Sequence, residues 1–144
     1  MLDRQWIAAH IPHQGRMCLL DTVLAWSEQH IVCETASHFA RDHPLRNADR
    51  LGAVSGVEYA AQAMAVHGAL LTRPSSPPSQ GYLTSVRSLN LQVQRLDDLD
   101  GPLQVSAERL SGDERLVLYQ FRLHHAGRCL MDGRASVVLD RQTL

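Results

Sequence analysis

Residues 51–71 read LGAVSGVEYAAQAMAVHGALL, and the fold turns on how they are read. Glu58 is the only formal charge, and the other polar side chains are Ser55, Tyr59, Gln62 and His67. Alanine and glycine fill much of the rest. A helix that is apolar nearly all round is buried on most sides. Small residues let a sheet approach its axis closely. The stretch therefore predicts one long central helix over about residues 51–72. A lone carboxylate in such a helix costs free energy unless it is paired or has a task. Glu58 is on that ground the first candidate for chemistry.

The stretch is just long enough to span a membrane. Glu58, Gln62 and His67 argue against that, as do the glycines at 56 and 68. With 144 residues, 44% hydrophobic and 20% charged, the chain predicts a single domain, 1–144, with room for a core. A formal net charge of −1 gives no basic field for nucleic acid or a membrane surface. Cys18, Cys33 and Cys129 are odd in number and form no CxxC, so neither a disulfide framework nor a zinc knuckle is indicated. The N-terminal residues lack the pattern of a signal peptide, so a reducing cytoplasm is the expected location.

Outward from the helix, the flanks divide cleanly. On the N-terminal side, residues 3–9 predict a short amphipathic helix with Asp3 as N-cap, ended by Pro12. His13, Gln14, Gly15 and Arg16 read as a polar loop. Residues 17–26 and 31–36 read as a hairpin around the turn 27–30. The segment SHFARDHPLRNADR (37–50) holds two histidines, three arginines and two aspartates, and is read as a loop feeding the helix. On the C-terminal side, RPSSPPSQG (73–81) reads as a surface linker. Beyond it, period-two alternation runs through Leu89, Leu91 and Val93, then Leu103, Val105 and Ala107. It continues through Val117, Tyr119, Phe121 and Leu123, and from Cys129 to Leu139. That predicts antiparallel sheet with one face covered, as a meander of about four strands. The sum is an α+β fold: a curved antiparallel sheet wrapped around one long helix. It leaves a sheet edge open to pairing with a second chain.

Three stretches in this order resemble the hot-dog-fold 3-hydroxyacyl-[acyl carrier protein] dehydratases, and more narrowly their relatives of aryl-polyene clusters. Ile11-Pro12-His13 through Met17-Cys18-Leu19-Leu20-Asp21 resembles the family's Pro-His, Leu-Leu-Asp opening. Glu58-Tyr59-Ala60-Ala61-Gln62 matches its Glu-x-x-x-Gln on the central helix. Gly81-Tyr82-Leu83 matches its aromatic-Leu-Gly strand entry, with Thr84 where the glycine is expected. The family's Gly-His-Phe-Pro-Gly loop is missing. His43 lies fifteen residues before Glu58, and His38 twenty.

The resemblance implies elimination of water from an acyl thioester held on the phosphopantetheine of an acyl carrier protein, with no other cofactor and no metal. The pair His124-His125 lacks a third ligand at suitable spacing. A base must take the C2 proton, an acid must protonate the leaving hydroxyl, and donors must meet the thioester oxygen. The family pattern assigns the base to His43 or His38, and the acid to Glu58 of a second subunit in a homodimer or hot-dog heterodimer. A low-dielectric helix would raise the Glu58 pKa toward neutrality. Gln62, one turn on, would orient Glu58. The backbone N–H of Thr84 or Ser85 is the candidate thioester donor, and the helix N-terminus near Gly52 could assist. His13 is a candidate for lining the site. Arginines 41, 46, 50, 87 and 95 could meet an acidic carrier protein. The competing readings are a hot-dog thioesterase, and a non-catalytic hot-dog subunit that binds acyl chains or partners a catalytic homologue.

Overall fold

A computed structural model describes residues 1–13, 15–72, 79–113 and 115–141. Gln14, and residues 73–78 of the expected linker, lie outside the described residues. The elements are helix α1 (Arg4–His10), strands β1 (Thr22–Trp26) and β2 (His30–Thr35), and helix α2 (Gly56–Leu71). Strands β3 (Ser79–Leu91), β4 (Leu103–Gly112), β5 (Leu116–His125) and β6 (Arg128–Arg141) follow. No described helix is long and apolar enough to cross a membrane.

All six strands form one antiparallel sheet in the order β1-β2-β4-β5-β6-β3. Helix α2 lies on one face and touches β2, β3, β4 and β5. This is the expected α+β arrangement of a sheet around a helix. Val117, Tyr119, Phe121 and Leu123 of β5 all point inward and are buried, as their alternation predicts. Tyr59, Ala60, Ala63 and Val66 meet them from α2. Gly56 shows why the helix needs small residues. A Cβ there would lie 2.5 Å from Met131 Cε and 2.9 Å from Leu123 Cδ2, inside van der Waals contact. The β5–β6 turn is equally specific. Ala126 and Gly127 both take positive φ, 49° and 80°, the backbone a two-residue hairpin turn demands.

Four sequence expectations need correction. The C-terminal strands are not one meander. β4, β5 and β6 are, but β3 pairs with β6 at the far edge while β2 takes the place beside β4. Residues 79–81, expected in the linker, open β3, and Val93 falls beyond its end. The first strand begins at Thr22, not Met17. Gly15–Met17 is a 3₁₀ turn, and Cys18–Leu20 are buried but outside any ladder, because side chains supply their backbone partners. The central helix opens with a 3₁₀ turn at Ala53–Ser55, so its α-helical N-terminus is Gly56, not Gly52. At α1 the expectation is met: Asp3 accepts the Trp6 N–H at 3.0 Å.

Candidate active site

The polar residues of α2 divide by helical face. Glu58 lies in the first turn, on a side that the chain leaves partly open. Its side chain is 35% exposed, so it is not the buried carboxylate the apolar sequence suggests. Its ion partner is none of Arg41, Arg46 or Arg50. His13 Nε2 lies 3.2 Å from Glu58 Oε1. His13 Nδ1 is buried with no hydrogen-bond partner among the described residues. The structure thus joins the Pro-His segment before β1 to the central helix, a pairing across 45 positions that spacing alone does not reveal.

Gln62 is one turn beyond Glu58 but fully buried, and it makes no hydrogen bond to Glu58. Its Oε1 accepts the Leu19 N–H at 2.8 Å and its Nε2 donates to the Met17 carbonyl at 2.7 Å. The expected orientation of Glu58 by Gln62 is therefore replaced by a tie to the Met17–Leu19 backbone.

His43 is buried against the adjacent side of α2. The Leu45 N–H donates to its Nδ1 at 3.1 Å, so that nitrogen carries no proton. Nε2–H then donates to Tyr59 Oη at 3.0 Å. Tyr59 passes its own proton to Ser37 Oγ at 2.7 Å, and Ser37 donates to the Leu19 carbonyl at 2.8 Å. Every link is satisfied, so the ring is held neutral. Burial, with Arg46 nearby, pushes its pKa below the ordinary value, and burial pushes the Tyr59 hydroxyl up to about 12. His38 is also fully buried. It donates from Nε2 to the Leu99 carbonyl at 3.2 Å and stacks on Phe39, and burial lowers its pKa. Neither histidine meets Glu58 of the same chain.

Thr84 and Ser85 lie on β3, the sheet edge. The ladder pairs Leu83 with Val137 and Ser85 with Ser136, leaving Thr84 as the extra residue of a bulge. Bulges on edges re-aim groups that a regular ladder would consume. Two of the five arginines are spent elsewhere. Arg95 binds Asp97, and Arg46 donates to the Asp49 and Phe39 carbonyls; Arg41, Arg50 and Arg87 are exposed.

A cleft of about 340 Å³, whose lining does not include Glu58, is lined by Arg4, Arg16, Asp21, Ser37, Asp42 and His43. Its two arginines face its two aspartates, at 3.3 and 3.7 Å, which leaves no net charge for a charged ligand. His67, to which the sequence assigns no role, is fully buried. It donates to the Ser27 carbonyl at 2.8 Å and accepts from Tyr119 Oη at 2.7 Å. Residues 37, 59 and 119 give no sequence signal of their polar contacts, because each partner is distant in the chain.

The geometry can be set beside known proteins. The ApeP-like family profile, described as ApeP dehydratase, matches residues 5–143. Among curated proteins none matches the chain. The dehydratase heterocomplex ApeI:P from Xenorhabdus doucetiae is similar in structure. It shows TM-score 0.81 and 22% identity, over 99% of this chain and 93% of that one. A mutant thioesterase from Pseudomonas aeruginosa follows the fold with TM-score 0.68 and 13% identity, over 99% and 96% of the two chains. A thioesterase family protein from Silicibacter pomeroyi does so with TM-score 0.69 and 11% identity, over 96% and 98%. At these identities the likeness shows the hot-dog fold.

Proposed function

The chain belongs to the ApeP-like dehydratase family, and we propose that it eliminates water from a 3-hydroxyacyl thioester carried by an acyl carrier protein. The observation that carries this reading is the His13–Glu58 pair, held at 3.2 Å on the open side of the central helix. A base and an acid side by side are what a 1,2-elimination requires.

In the proposed cycle the substrate parts the pair. His13 Nε2 takes the C2 proton while Glu58, protonated, gives its proton to the departing C3 hydroxyl. The C2–H and C3–O bonds break, the C2–C3 double bond forms, and water leaves. Imidazolium and carboxylate then meet again, and one proton crossing their contact restores the starting pair. We assign the base to His13 because it is the histidine that meets Glu58: both His43 nitrogens are hydrogen-bonded, and His38, although its Nδ1 has no partner among the described residues, is fully buried and bonded to the Leu99 carbonyl. The Thr84 or Ser85 backbone N–H, at the bulge on the sheet edge, is our candidate for the thioester oxygen. The open β3 edge and the half-exposed Glu58 support a site completed by a second hot-dog subunit. The heterocomplex neighbour favours a heterodimer as one such assembly. Of the five arginines weighed for the carrier protein, Arg41, Arg50 and Arg87 are exposed and remain the candidates to meet it.

The test is to supply a 3-hydroxyacyl-carrier-protein thioester to the purified protein, alone and with a hot-dog partner. Loss of water from the acyl group, or hydration of the enoyl form, supports the proposal. No turnover at any chain length overturns it. Release of free thiol would instead establish a thioesterase, the reading favoured by the thioesterase structures that share the fold.

A further inference from the structure

We propose that Gln62 is a positioning residue: its buried amide fastens the segment that carries His13 to the helix that carries Glu58. This rests on reading His13 and Glu58 as the proton-transfer pair. The segment concerned is the 3₁₀ turn at Gly15–Met17 with Cys18–Leu20, which follows His13 closely in the chain. It belongs to no strand, so no ladder fixes its place. Its buried backbone groups must find partners elsewhere.

Gln62 supplies two of them from one side chain. The amide oxygen can only accept and the amide nitrogen can only donate, so the Leu19 N–H and Met17 carbonyl fix its orientation. The same Leu19 peptide is gripped from its other side. Its carbonyl accepts from Ser37 Oγ at 2.8 Å and Thr35 Oγ1 at 2.5 Å. Arg4 holds the Gly15 carbonyl at 2.9 Å, but from α1. Gln62 ties the segment's backbone to α2 directly. It lies one helical turn from Glu58, while His13 lies four residues before Met17. Any slip of the segment along the helix therefore changes the His13–Glu58 separation. A displacement of about 1 Å at a reacting pair can cost about a hundredfold in rate.

Two variants test this. Gln62→Met keeps the length and removes both hydrogen bonds. Gln62→Glu, when protonated, restores one acceptor and one donor. With Gln62→Met, kcat should fall about 10- to 100-fold while KM moves less than about threefold. The ratio of Gln62→Glu to wild-type kcat should rise as pH falls. A residue that merely stabilised the fold would lower the melting temperature and leave that ratio flat, which would overturn the proposal.

A second readout does not need turnover. NMR chemical shifts of the His13 ring nitrogens should change on Glu58→Gln, and Gln62→Met should move them in the same direction. Unaltered His13 ring shifts in Gln62→Met overturn the positioning role even if dehydration is seen. Absence of wild-type dehydration overturns the proposed function, and the ring shifts alone then decide Gln62. If Gln62→Met does not fold, ionised Gln62→Glu, which keeps the acceptor for the Leu19 N–H and loses the donor to the Met17 carbonyl, should move the ring shifts the same way.

Discussion

Two of the histidine contacts on helix α2 differ in one respect. At its open face His13 meets Glu58, and one His13 nitrogen has no partner among the described residues. At its closed face His67 sits between Ser27 and Tyr119 with both nitrogens used. His43, between Leu45 and Tyr59, belongs with the closed kind. A satisfied, buried histidine fixes the fold and has no lone pair to offer a substrate. A half-open pair with unused hydrogen-bonding capacity can exchange a proton. Histidine content therefore points to many candidates here. Hydrogen-bond partners set His43 and His67 aside, and full burial away from Glu58 sets aside His38, whose Nδ1 also has no partner among the described residues.

The comparison breaks most sharply at Glu58. Glu58→Gln or His13→Gln should lower kcat about 10²- to 10⁴-fold, the range of general acid–base catalysis, with little change in melting temperature. Equal damage to stability in those variants would place the open pair with the structural ones. The converse change is His67→Leu, which leaves the buried Tyr119 hydroxyl without its partner and removes the donor to the Ser27 carbonyl. Chemical denaturation should show a loss of about 1–3 kcal/mol, with kcat of the folded protein unchanged. Gly56→Ala probes the packing that brings both contacts together. Its methyl must displace Met131 and Leu123, at about 1–3 kcal/mol by denaturation, partly offset by alanine's helix propensity.

The gentlest probe is pH. Burial holds His38, His43 and His67 below the ordinary histidine value of 6.5. The unfolded chain takes up protons near 6.5 that the fold refuses. The stability is thus full above about 6.5 and lost as pH falls through it toward the folded-state values. Melting temperature should decline over that window. His67→Leu should flatten part of the decline.

Much of the fold was legible before any coordinates. The apolar circumference of residues 51–71 called for a sheet wrapped around a helix. The alternation of Val117 to Leu123 stated which face is buried. Asp3 announced its cap, and Glu58 stood out by its isolation. Those are local properties, written in period and composition over a few residues. The edge placement of β3 was not legible, because alternation says that a strand pairs and not with which neighbour. Nor was the union of His13 with Glu58, or of Gln62 with the Leu19 peptide. Each joins segments more than forty residues apart, and only the chain path through the core brings them within hydrogen-bonding distance. The sequence by itself determined the helix, the sheet faces and the carboxylate. Tertiary structure alone decided which histidine meets that carboxylate, because burial and hydrogen-bond partners belong to the folded chain.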